Sequence, residues 1–386
     1  MGKMVYSTRI KKILAVVFLL TLTGMTELFA IDLYYTVPQL AGSHPNKGTI
    51  QEELNRVFTE AVTDYQRKIQ GIDDNPQKMI GAFATSSVFS STGASLRTFQ
   101  GYDSFALTLG AMAGVQLNVG INSLIRNTDY IGDRFFDDMN RDGDIQLGIN
   151  PQIINAQLGI NASKFLLKGL YVGFKGGYMN LNFENFHTSF QTWSVGGMIN
   201  YQLVSQKRMP DEIFIWRGLN VGTGFIYQRT SINLDVPLMP VEDTTSGLVN
   251  IGSTGVALNL GDPVFRFRFN VSSYTVPLEA VTSLRLLGFV NFSIGGGVDF
   301  GFGSASMKGS LDSRIELTNL PSGLYQERAG SLYISMGGTN SPVLINPKIM
   351  GSLAFSAGPA IILDIPITYY FLNNGYSVGV TFGVAI

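Results

Sequence analysis

Three groups of residues have types and spacings that could carry chemistry. The sharpest is Asp138-Met139-Asn140-Arg141-Asp142-Gly143-Asp144, with oxygen-bearing side chains at the first, third, fifth and seventh positions and Gly143 at the sixth for a tight turn. That pattern matches a calcium loop of EF-hand type. The twelfth position, where a bidentate Glu would close the shell, holds Ile149, and a strand follows directly. Asp138, Asn140, Asp142 and Asp144 therefore fit either a structural Ca2+ site, helped by Asp133 or Asp137, or a solvated acidic loop. The second group is Arg266 and Arg268, two guanidinium groups on one face of a strand. Such a pair can hold a carboxylate by paired hydrogen bonds. It can also line water and balance an acid such as Asp299 or Asp364. The third group is apolar: Phe83, Val88, Phe89 and Phe99 could contact an acyl chain or pack a plug.

Catalysis finds little support. The two histidines, His44 and His187, have no Ser or Asp arrangement beside them that would activate a nucleophile. There is no phosphate-binding glycine loop, no zinc spacing and no cysteine, so the chain reads as a non-enzyme that requires no cofactor. Gly295-Gly296-Gly297 interrupts an alternating strand, where bare backbone lets a plug or ligand approach the wall or lets the strand bend.

Elements that position these groups follow from composition and period. Of the 386 residues 45% are hydrophobic and only 14% charged, against about 25% charged in ordinary soluble domains. Lys and Arg number 27 against 28 Asp and Glu, which leaves no basic excess for nucleic acid. Residues 1–30 have the basic start, apolar stretch and small residue at the cut of a signal peptide; their removal leaves 23 basic and 27 acidic residues. Residues 31–100 form an amino-terminal segment with one clear helix over 49–70, where Thr49 and Glu52 have capping-box spacing.

From residue 101 to 386 the pattern turns to period two. Phe105, Leu107 and Leu109 alternate with small or polar residues, as do Val290, Phe292 and Ile294 and the final run from Tyr376 to Ile386. Most such runs reach ten residues, longer than the usual ~5–6 of soluble strands. No apolar stretch beyond residue 30 reaches the ~18 residues of a spanning helix. Lipid tolerates no unpaired backbone, so the expected fold is all-β: a transmembrane antiparallel barrel of about 14 strands in the bacterial outer membrane, with a partly helical amino-terminal hatch.

An exported barrel preceded by some 70 residues that end in Val88-Phe89-Ser90-Ser91-Thr92-Gly93 resembles the FadL family of long-chain fatty-acid transporters, most of all its divergent spirochaete members. The resemblance implies a monomeric 14-stranded barrel, a hatch plugging the lumen, and capture of a hydrophobic molecule that leaves sideways into the membrane. The family's Asn-Pro-Ala before the first strand is absent; Asn-Pro occurs only at Asn150-Pro151 and Asn346-Pro347. Partners on this reading are outer-membrane lipid and a hydrophobic small molecule. Two other functions fit an exported barrel. One is a water-filled porin, and the other is an adhesin using loops at residues 118–148 and 235–262.

Overall fold

The computed structural model describes residues 30–69, 75–92, 102–117, 147–183, 188–208, 213–237, 249–250, 256–357 and 361–386. Residues 1–29 of the expected signal peptide, Phe99, His187 and the acidic stretch 138–145 lie outside these. In chain order the amino-terminal elements are β1 (Ala30–Thr36), β2 (Gln39–Gly42), α1 (Lys47–Ile69) and α2 (Asn75–Thr92). Then come β3 (Phe105–Leu117), β4 (Leu147–Asn161), β5 (Leu170–Phe183), β6 (Thr188–Val204), β7 (Lys207–Arg208) and β8 (Phe214–Pro237). The chain continues through β9 (Val249–Asn250), β10 (Ala257–Leu286), β11 (Val290–Thr318), β12 (Leu324–Arg328) and β13 (Gly330–Asn340). It closes with β14 (Ile345–Ala357), β15 (Ile361–Tyr370) and β16 (Gly375–Ala385).

Followed from pair to pair, β3 leads through β4, β5, β6, β8, β10, β11, β14, β15 and β16 back to β3, every step antiparallel. Among the described residues the sheet has fourteen strands, but four of them lie off this circuit, so the closed ring has ten and not the expected fourteen. β1, β9 and β13 extend one end, and β7 is a two-residue flap at the other.

Alternation sets which face each residue takes. Gln152, Gln157, Thr192, Gln228, Asn291 and Asp364 are buried in the lumen, whereas Leu109, Phe174, Val195, Ile294, Val380 and Phe382 stand exposed outside. This is a soluble protein turned inside out, as lipid around a polar lumen requires. Aromatic side chains rim the belt: Trp193 lies 5.1 Å from Tyr227, Tyr227 4.9 Å from Tyr274, and Tyr369 5.0 Å from Tyr376. Tyr and Trp favour this boundary because one end of the ring is apolar and the other wet. The protein is an outer-membrane β-barrel.

The two ends differ. At one, strands are joined by residues 162–169, 205–213, 287–289 and 358–360; at the other by the long connections 118–146, 238–256 and 319–344 and by two short ones, 184–187 and 371–374. β10 and β11 run 30 and 29 residues and overshoot the belt at this loop-rich end, since a tilted strand crosses with about 9–11 residues. Their projecting halves carry β13 and, through it, β1. α1 caps the same end, with Ile50 and Leu54 buried against Leu40, Val256, Ile315, Leu317 and Leu324. It begins two residues before the capping-box position, where the Ile50 N–H donates to the Asn46 carbonyl at 3.0 Å.

At the short-turn end β10 and β11 meet in a tight turn of three residues, 287–289. Leu287 and Gly288 have φ of 49° and 75°, and the Phe289 N–H donates to the Leu286 carbonyl at 3.1 Å. Positive φ at both central residues marks the turn whose twist suits a hairpin. Leucine pays about 1–2 kcal/mol to adopt that conformation. Leu287→Asn is therefore expected to raise the unfolding midpoint in detergent by the equivalent of about 1 kcal/mol. An unchanged or lowered midpoint would refute the strain.

Candidate functional site in the barrel lumen

α2 fills the upper lumen. Sequence periodicity shows no apolar stripe here, and the reason is its surroundings: the helix is enclosed by a polar wall. Pro76 falls in its first turn, where a missing N–H leaves no bond unmade. At the loop-rich mouth the Asn340 side-chain amide donates to the Gln77 carbonyl at 2.7 Å. One turn deeper, Ile80 and Ala84 pack on Phe269, Val271, Ala305 and Met307, forming an apolar collar.

Below the collar hydrogen bonds tie α2 to the wall, beside an apolar contact of Val88 and Phe89 with Tyr370. Ser87 meets Ser273 at 2.7 Å, Ser90 meets Gln228 at 3.2 Å and Ser91 meets Thr275 at 3.1 Å, all hydroxyl or amide groups of the wall. Gln228 is a hub, its amide donating to Asn150 at 2.8 Å while its carbonyl accepts from Gln152 at 2.7 Å. Thr92 ends the helix by donating to Asp299 at 2.9 Å, and its hydroxyl also lies 2.8 Å from that of Tyr370. Asp299 in turn accepts from Tyr370 at 3.0 Å and pairs with Lys348 at 2.7 Å. Lys348 also binds Glu279, and Lys175 donates to the Ser91 carbonyl. Two lysines and two carboxylates are thus buried together, so their charges compensate inside the wall.

Glycines make room for the helix. A methyl group on Gly114 would stand 2.3 Å from the Ser86 carbonyl, one on Gly148 2.2 Å from that of Ala82, and one on Gly375 2.1 Å from the Phe89 ring. Three strands, β3, β4 and β16, are stripped bare where α2 presses on them.

The wall is also incomplete. The β4–β5 ladder stops at Ile154↔Tyr178, although both strands run on toward the loop-rich end. A register shift in β4 against β3 leaves Ile153 and Ile154 both exposed outside, a bulge that turns β4 away from β5. Inside this break stand Asn150 and Gln152 of the Gln228 network.

Of the residues singled out in the sequence, Phe83, Val88 and Phe89 lie on α2. Phe83 packs on Phe269 with ring centres 4.9 Å apart; Val88 and Phe89 are fully buried, and Phe89 stacks on Tyr370 at 3.8 Å. The structure places them in plug packing. Arg266 and Arg268 require a correction, because they point away from the lumen with side chains 43% and 38% exposed. Arg266 lies 3.6 Å from Asp312, and Arg268 forks onto Asp235, whose charge raises its pKa through a direct hydrogen bond. Phe269 and Val271 take the inner face because α2 offers Ile80 and Ala84 there, and that fixes the arginines outside. The lumenal acids Asp299 and Asp364 are buried, but the lysine that pairs with Asp299 carried no motif. Among the described residues no three metal-binding side chains converge.

A family model described as Lsa36-like matches residues 39–386, nearly the whole barrel with its cap. The chain belongs to the Lsa36-like family. No curated protein matches this Lsa36-like sequence. Among solved structures it is similar to the translocator domain of the autotransporter NalP from Neisseria meningitidis, at 10% identity and a TM-score of 0.33 over 84% of this chain and 98% of that one. It is also similar to the toluene transporter TbuX of Ralstonia pickettii, at 11% identity and a TM-score of 0.24 over 80% and 98%. The outer-membrane protease OmpT of Escherichia coli gives 10% identity and a TM-score of 0.28 over 73% and 93%. These likenesses are loose and say nothing of ligand or activity.

The glycine cradle makes a direct prediction. Gly114→Val or Gly375→Val places atoms where the backbone of α2 or the ring of Phe89 now sits, so the helix must shift. In planar bilayers the native protein is expected to stay nearly closed, whereas either variant conducts in discrete steps. Equal, silent traces from all three would show that α2 is not the seal.

Proposed function

We propose that this Lsa36-like barrel is a passive outer-membrane transporter of long-chain fatty acids or similar hydrophobic small molecules, with α2 as its hatch. The observation that carries the reading is the break in the β4–β5 ladder, where the wall lacks backbone pairing and the buried side chains of Asn150 and Gln152 close it from inside. The apolar collar at the mouth offers a first resting place for a molecule leaving water. Beside the break, Asn150, Gln152, Gln228 and Thr230 can receive a polar head group, while Ile153 and Tyr178 flank the way out for its tail. Passage then needs no energy source, because the tail moves from collar to lipid down its own partition gradient. A filled lumen speaks against a general water-filled porin. The loops named for an adhesin fall largely outside the described residues.

Refolded protein titrated with a fluorescent fatty acid is expected to bind saturably, with displacement by oleate. Deleting Ile153 removes the bulge and lets the β4–β5 ladder run on. Binding should persist while delivery into lipid vesicles slows by about tenfold or more, the loss expected when a route is closed rather than a contact weakened. A folded barrel, shown by heat-modifiable migration, that binds nothing displaceable by oleate would overturn the proposal.

We further propose that Asp138, Asn140, Asp142 and Asp144 hold a structural Ca2+ in an outer loop, supported by their oxygen-rich spacing. Calorimetric titration of the metal-free protein with Ca2+ should give one site that D142N weakens by tenfold or more, as loss of a charged ligand from such a loop implies. The absence of any binding heat would remove the site.

A further inference from the structure

We propose that the barrel displays its own amino-terminal cap on the outside of the cell, with the chain threading the lumen from the outer face inward. Three placements lead there. First, α1, β1 and β2 sit at the loop-rich end, held by Val256, Ile315, Leu317 and Leu324 and by the pairing of β1 with β13 and of β2 with β12. Second, α2 descends from that end. Its early residues meet Asn340, Phe269 and Met307, and its last meet Thr275 and Asp299, positions successively nearer the short turns along β10 and β11. Third, the chain is found at the opposite end at Tyr102. Its carbonyl accepts from the Asn161 side chain at 2.9 Å, and its ring meets that of Tyr171 at 5.1 Å. Between α1 and β3 the polypeptide has therefore crossed the whole barrel.

The orientation follows from the ends themselves. Outer-membrane barrels put short turns on the periplasmic side and longer loops outside. Here the three long connections, 118–146, 238–256 and 319–344, all share the cap's end, beside two four-residue links, and every connection at the Tyr102 end is nine residues or shorter. The surface chemistry agrees: beyond the aromatic rim the projecting halves of β10 and β11 carry exposed Arg266, Lys308, Asp312 and Arg314, which require water. The cap itself turns a charged face outward, with Arg56 bonded to Glu53 and Glu60. A barrel that served only as a conduit would need no such structure above the membrane. This one anchors it twice, by strand pairing and by a helix run through the pore, so the cap is presented at a fixed position on the surface. The inference does not depend on what the barrel transports.

The chain has no cysteine, so single substitutions can be labelled without background. E60C and E52C report the cap, K308C the projecting strands, and F165C a short turn; all four positions are exposed. In intact cells a membrane-impermeant maleimide is expected to label E60C, E52C and K308C within minutes, and F165C only after the outer membrane is permeabilised. Labelling of F165C in intact cells with K308C silent would reverse the orientation and overturn the proposal. So would labelling of K308C with both cap positions silent, since the cap would then not lie outside. Heat-modifiable migration confirms that each variant is folded, and the two cap positions guard against a local loss at either one.

Discussion

A strand in hydrocarbon must find a partner for every backbone N–H and C=O, and the whole molecule is arranged around that demand. The circuit closes through the lower halves of β10 and β11, and their pairing runs on from Leu286↔Val290 at the tight turn to Ala257↔Thr318 far above the membrane, with one register shift between Gly261 and Val264. The surplus length cannot stay bare in water as two open edges either. β13 covers one side of the projecting hairpin, β1 extends that sheet, and the α1 cap buries its apolar face. Closure in lipid and the platform above it are consequences of one long hairpin.

The same demand governs the lumen. Inner-facing amides and hydroxyls are buried as soon as the pore is filled, and each one left unpaired costs about 1–3 kcal/mol. A helix with an apolar face would leave Ser273, Thr275, Gln228 and Asp299 orphaned. α2 instead meets them with Ser87, Ser91, Ser90 and Thr92. Its own Ser and Thr hydroxyls also turn back onto the preceding turn, as Thr85 does onto the Gly81 carbonyl at 2.8 Å. The residues that make it a poor helix in isolation suit it to a polar tube.

This explains what could be read from the sequence and what could not. The strands were legible because period two is forced by lipid on one side and a polar lumen on the other, and Leu109, Ile294 and Phe382 obey it. α1 was legible because Ile50, Leu54, Val57 and Phe58 serve one apolar contact. α2 was not, since a helix surrounded by polar wall has no stripe, and its Ser-Ser-Thr run looks like a linker. Arg266 and Arg268 failed for a related reason. The alternation of Phe267, Phe269 and Val271 with polar residues is unmistakable, but which phase faces inward depends on Ile80 and Ala84, about 185 positions earlier in the chain. The ion cluster of Lys175, Glu279, Asp299 and Lys348 joins four strands, and nothing local announces it.

The way α2 is held also decides how it can move. Each hydrogen bond of the seam contributes only about 0.5–1.5 kcal/mol net, because water replaces it when the helix leaves. The collar is different: exposing Ile80 with the apolar residues it covers costs about 1.5–3 kcal/mol per large side chain, with no compensation from water. The lower turns have an apolar anchor of their own, since Val88 and Phe89 are fully buried and Phe89 stacks on Tyr370 at 3.8 Å, so burial holds α2 at both ends and the hydrogen bonds set its register between them. On the proposed transport reading, a hydrophobic molecule reaching the collar would take the place of Ile80 or Phe83 against Phe269 and remove the cost that water imposes. The break between β4 and β5 lies beside the Gln228 network, at the level of the seam and not of the collar. On that reading, binding at the mouth and release toward the wall are linked through α2, which touches both the collar and the Gln228 network.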